Sequence, residues 1–92
     1  MNGWKNYQTW ACNLWLTNEE SSYFYWMNAG KSALNDADGD REQAACMLAD
    51  QIKDALTENA PEMGGACLYS DLLGKALQDI DYIEVAKAFL KE

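Results

Sequence analysis

The side chains able to do chemistry here are fifteen carboxylates and three cysteines, with no histidine among the 92 residues. Without histidine the usual general base and the commonest metal ligand are both missing. Cys12, Cys46 and Cys67 are widely spaced and lie in apolar stretches. They form neither the close, even-numbered set of a disulfide framework nor a Cys-x-x-Cys zinc half-site. They read as small buried hydrophobes of a reducing cytosol. A cysteine nucleophile would have only lysine or a helix N-terminus to activate it. Paired carboxylates suggest glycosidase chemistry, but that needs a deep cleft with two carboxyls at set separation, which a chain this small rarely builds. The expectation is therefore a protein that is not an enzyme, with no cofactor and no bound metal.

The acids suggest two other uses. Asp36, Asp38 and Asp40 surround Gly39 in a loop that resembles a calcium site. Placing Gly39 at the sixth position of an EF-hand loop puts Leu34 at the first and Ala45 at the twelfth. Neither side chain can ligate, so the loop reads as a solvated turn with a helix cap. Asp50, Asp54 and Glu58 recur every four residues, about 6 Å apart along one helical face. With the Asp36–Glu42 cluster they form either a solubilising surface or a negative surface suited to a basic protein groove.

Aromatic residues are concentrated at one end. Eight of eleven fall within the first 26 positions, and Tyr23, Phe24, Tyr25 and Trp26 fill one helical turn. One helix cannot turn four consecutive rings inward, so some face solvent or a protein partner. Stacking on nucleobases normally comes with basic residues, and this region holds only Lys5 and Lys31. Seven basic against fifteen acidic residues give a net charge of −8. That disfavours direct nucleic-acid and anionic-membrane partners. No apolar run approaches a transmembrane length, and the opening Met1–Lys5 lacks the form of a secretory signal. The expected location is the cytoplasm.

The elements that position these residues are helices. The predicted first helix covers about 7–16, capped by Asn6, with Tyr7, Trp10, Ala11 and Leu14 facing inward. Thr17 and Glu20 read as a capping box opening a second helix over about 18–34, whose inner face holds Tyr23, Trp26, Met27 and Gly30. Asp40 caps a third helix over about 41–58 with Ala45, Leu48, Ala49, Ile52 and Leu56 inside. A linker follows around Pro61, Gly64 and Gly65. The fourth helix, about 66–79, carries Tyr69, Leu72, Leu73, Ala76, Leu77 and Ile80, with Gly74 read as a close helix contact. Asp81 and Glu84 box the start of a last helix ending near Leu90. The period-two alternation of strands is missing. The fold expected is all-α, one domain over residues 1–92, a compact bundle of four to five short helices. Trp10, Leu14, Leu73, Leu77 and Phe89 are expected in its core, with the aromatics of the first two helices packed on the last two.

Asn6-Tyr7-Gln8-Thr9-Trp10, then Leu14-Trp15-Leu16 and Asn18-Glu19-Glu20, resembles the opening of a family of small phage- and plasmid-associated proteins with no assigned activity. Asp71-Leu72-Leu73, Ala76-Leu77 and Asp81-Tyr82-Ile83-Glu84-Val85-Ala86 resemble its C-terminal part. Gln8 stands where the family has Glu and Tyr82 where Trp is common, and residues 28–65 have no counterpart in the pattern. The resemblance implies a mobile element and carries over no catalytic residue. The function expected is a protein-binding module that inhibits a host defence effector of the CRISPR or restriction type. Its expected partner-binding residues are Asp36, Asp38, Asp40, Asp50, Asp54, Glu58, Tyr23, Phe24 and Tyr25, facing a basic host protein. The alternative is a small regulatory or structural phage protein, a homodimer through its aromatic surface.

Overall fold

The computed structural model describes residues 3–91, so Met1 and Asn2 of the opening segment, and Glu92, lie outside the described residues. Five helices and no strand occur among those residues: α1 (Tyr7–Asn18), α2 (Glu20–Asp36), α3 (Arg41–Glu58), α4 (Leu68–Asp79) and α5 (Tyr82–Leu90). The expected all-α architecture and its five helices are found.

Capping side chains set most of the helix starts. Asn6, Asp40 and Asp81 each accept a hydrogen bond from the third backbone N–H of the helix they open. The α2–α3 turn closes through Asp38 and Gly39, whose φ angles of 53° and 84° lie in the left-handed region. Thr17 does not cap α2, contrary to expectation. The first helix runs on through Asn18, and the Thr17 hydroxyl donates back to the Asn13 carbonyl at 2.7 Å. The chain kinks instead at Glu19, an extended residue that makes no side-chain cap.

The core is built from α3 and α5 with α2 laid against both. Leu48, Ile52 and Val85 are fully buried among Ala44, Ala45, Ala49 and Ala86. Small alanines let the helices approach closely, and Gly30 of α2 brings its backbone onto α5. A methyl group there would sit 3.3 Å from the Phe89 carbonyl oxygen and from a Leu90 methyl. Gly74, expected to mark a close contact, instead faces open space.

The inner face of α1 also differs from expectation. Thr9, Cys12 and Leu16 are its buried residues, whereas Tyr7 is exposed, Leu14 is 38% exposed and Trp10 is half-buried. The helix has no charged residue, and its polar and apolar residues are interspersed around it, so apolar patterning does not set its rotation. Polar bonds set it. Buried Thr9 donates its hydroxyl hydrogen to Asn6 Oδ1 at 2.6 Å and accepts from the Asp81 backbone N–H at 2.9 Å. The Asn6 amide nitrogen donates to the Asp79 carbonyl at 2.8 Å. Glu84, which was expected to complete a capping box with Asp81, accepts from the Lys5 backbone N–H at 3.1 Å. These bonds latch the N-terminal segment onto the α4–α5 junction.

The fourth helix is the least integrated. It has no buried residue and packs mainly on α1. Leu73 and Leu77, expected in the core with Trp10 and Leu14, are only half-buried; Phe89 alone of those five is buried. The packing of α1 and α2 aromatics on α4 is correspondingly slight, and α5 takes most of the contact. The molecule measures 44 × 27 × 25 Å with a radius of gyration of 13.8 Å, against about 12 Å expected for this length.

Candidate functional site

Antiparallel pairing of α2 and α3 decides which expected site residues meet. The turn between them is short, so the first turns of α2 lie across from the last turns of α3. Tyr25 accordingly shares a concavity of about 370 Å³ with Asp54 and Glu58. Gln51, Ala55 and Asn59 complete its wall, and buried Trp26 stands behind, its ring centroid 4.9 Å from that of Tyr25 in edge-to-face geometry. Asp50 lies one turn before Asp54 on the same face of α3 and is exposed.

Of the four consecutive rings, Trp26 is buried and Tyr23, Phe24 and Tyr25 are exposed. Tyr23 and Phe24 pair with each other at 5.5 Å, in a tilted edge-on arrangement. The three expected aromatic contact residues are thus accessible.

Asp36, Asp38 and Asp40 sit at the opposite end of the hairpin. Asp40 caps α3, and Glu58 lies about 27 Å farther along that helix. The acids therefore form two groups and not one patch. Asp36, Asp38, Asp50, Asp54 and Glu58 make no ion pair among the described residues. No cluster of three or more Cys, Asp or Glu among the described residues has a geometry able to hold a metal ion.

A second surface was not anticipated. Between α1 and α4 lies an almost wholly apolar groove of about 380 Å³, walled by Tyr7, Ala11 and Trp15 on one side and Leu73, Leu77 and Ile80 on the other. Its floor is Cys12 and Leu16 of α1 with Leu56 of α3. Two signals for it stand in the sequence. One is the uncharged α1, which has more apolar surface than one core face can bury. The other is the Pro61–Gly65 linker, where Gly64 and Gly65 have φ of 71° and 104° and α4 leaves the bundle.

The cysteines differ from the uniform buried reading. Cys12 is buried, Cys46 is exposed and Cys67 lies between. Burial pushes the Cys12 thiol up to about 11. The Cys67 thiol is drawn below its ordinary value by the hydrogen bond from the Ser70 backbone N–H, since its sulfur caps α4. Its reciprocal partner is the Ser70 hydroxyl, which accepts from the Cys67 N–H at 2.9 Å. Among the described residues, no helix is long and apolar enough to cross a membrane.

No curated protein and no solved structure matches this sequence. The chain belongs to a family of unknown function, DUF7249, whose profile matches residues 1–88.

Proposed function

We propose that this family member is a non-catalytic protein-binding module of a phage or other mobile element, which inhibits a host defence effector by docking on its basic, nucleic-acid-binding surface. The observation that carries the reading is the grouping of an exposed ring, Tyr25, with the Asp54 and Glu58 carboxylates around one concavity. A ring provides a desolvated anchor, and the two α3 carboxylates beside it select a basic partner and steer its approach. The net charge of −8 strengthens that steering and disfavours nucleic acid as the direct ligand. Asp50 extends the acidic stripe along α3. Asp36, Asp38 and Asp40, at the far end of the hairpin, contribute to the long-range field and not to the anchor. Small size, the acidic field and the mobile-element resemblance of the two chain ends support action on a host defence protein, of the CRISPR or restriction type, in the host cytoplasm.

The test is capture from host lysate with the wild-type chain and two variants, followed by competition with nucleic acid. The expected catch is a nucleic-acid-binding protein that added DNA or RNA displaces. Charge reversal at Asp50, Asp54 and Glu58 is expected to abolish its retention, and Tyr25→Ala to shorten it. Retention of the same protein by the triple reversal at low salt would overturn the reading.

A further inference from the structure

We propose that the α1–α4 face is a self-association surface, on which a second copy of this chain docks to form a two-fold homodimer. Three observations point to a second copy as the occupant.

The first is area. The chain exposes 6263 Å², whereas a well-packed monomer of its 10.4 kDa mass exposes about 5,400 Å². The excess, roughly 850 Å², matches the ~800 Å² that each partner contributes to a stable protein interface. The three most exposed large apolar side chains, Trp15, Leu68 and Tyr69, lie on α1 and α4, with Trp15 70% and the nearby Leu72 59% exposed.

The second is charge. Two chains of −8 repel, so they can meet only where the charge is thin. The first helix has no Asp, Glu, Lys or Arg. Helix α4 has Asp71, Lys75 and Asp79, and Lys75 pairs with Asp79 at 3.1 Å. A strongly basic partner would find little to bind on this face, whereas a copy with the same sparsely charged surface would meet little opposition.

The third is shape. A two-fold contact places one patch against itself, so that patch must carry both the projection and its receptacle. Both are present. The first turns of α4 raise Leu68, Tyr69 and Leu72 as an apolar ridge, and its later turns wall the groove with Leu73, Leu77 and Ile80. Antiparallel α4 helices set the ridge of each copy into the groove of its partner.

Sedimentation of the full chain from low micromolar to several hundred micromolar tests this. The expected mass rises to twice that of the chain, and dimerisation tightens with added salt as repulsion is screened. That sign is opposite to the salt response expected for a basic partner on the α2–α3 face, so the two surfaces fail or succeed separately. Leu72→Glu and Trp15→Glu, made one at a time at exposed positions, are each expected to weaken dimerisation about ten-fold or more while helical circular dichroism is unchanged. A wild-type chain that stays monomeric throughout the range overturns the proposal. So does a dimer that both variants leave intact, or one that only Phe24→Ala or Tyr25→Ala dissociates.

Discussion

At the scale of single residues, Thr9 joins the two ends of the chain. Its hydroxyl bonds Asn6 and Asp81 at once, with no exposure to water. Thr9→Val preserves the shape and removes both bonds, leaving the Asp81 N–H short of a partner. It is expected to cost about 1–3 kcal/mol in urea denaturation. Thr9→Ser keeps the oxygen and should fall between Val and wild type. A larger loss for Thr9→Ser than for Thr9→Val would show that the methyl group, and not the hydroxyl, holds the joint. Cys12 gives a pH dependence with a definite sign. Its thiol ionises near 9 when unfolded and near 11 when folded. Between those values the native chain holds a proton that the unfolded chain has released, so stability is full below pH 9 and falls as pH rises toward 11. Burial moves the Tyr82 phenol in the same direction. The decline in melting temperature over this interval should be shallower in Cys12→Ala, and thiol reagents should label Cys46 and Cys67 but not Cys12 in the native protein. A decline of equal steepness in that variant would assign the effect elsewhere.

At the scale of elements, two glycines inside helices give opposite expectations. Alanine raises helix propensity by about 1 kcal/mol over glycine. At Gly74 nothing opposes the gain, because open space surrounds the site, so Gly74→Ala should stabilise by about 0.5–1 kcal/mol. At Gly30 the added methyl presses on the Phe89 backbone of α5, which cannot swing aside as a side chain does. Gly30→Ala should therefore destabilise by about 1–3 kcal/mol net, measured in the same denaturation series. A stabilised Gly30→Ala would mean that α2 and α5 are free to part. These helices also mark how much of the fold is legible in the sequence. The bounds of α3 and α5 follow from Asp40, Asp81 and clean apolar stripes. The rotation of α1 was not legible, because polar and apolar residues are interspersed around it and the bond that turns it comes from residue 81. The exposure of α4 was not legible either, since an amphipathic stripe looks the same whether it meets its own core or another surface. Of the candidate site, Tyr23, Phe24 and Tyr25 were rightly expected to include exposed rings. The separation of the acids follows from the length of α3, whereas the meeting of Tyr25 with Asp54 and Glu58 depends on the antiparallel hairpin, which no local pattern states. The resemblance at the chain ends corresponds in part to the Asn6–Thr9–Asp81 latch, a structural joint and not a reactive site.

At the scale of the whole molecule, the distribution of charge links function to stability. Asp50, Asp54 and Glu58 stand four residues apart, a spacing at which like charges on a helix repel. Glu58 also lies in the last turn of α3, at the negative end of the helix dipole, and that turn has no basic residue. All three sit in the field of a chain whose net charge is −8. Every one of these local effects opposes folding, and none is offset by an ion pair among the described residues. Replacing them with Asn, Asn and Gln leaves side-chain size nearly unchanged and removes three negative charges. The variant is expected to gain about 0.5–1 kcal/mol, a rise of several degrees in melting temperature for a domain of this size. Added salt should raise the melting temperature of the wild type more than that of the variant, because less repulsion remains to be screened. The same substitutions should weaken capture of a basic partner. A face whose acids lower stability and raise affinity is one shaped for binding. If the neutralised variant melts lower than the wild type at every salt concentration, the acids are structural, and their placement needs no partner to explain it.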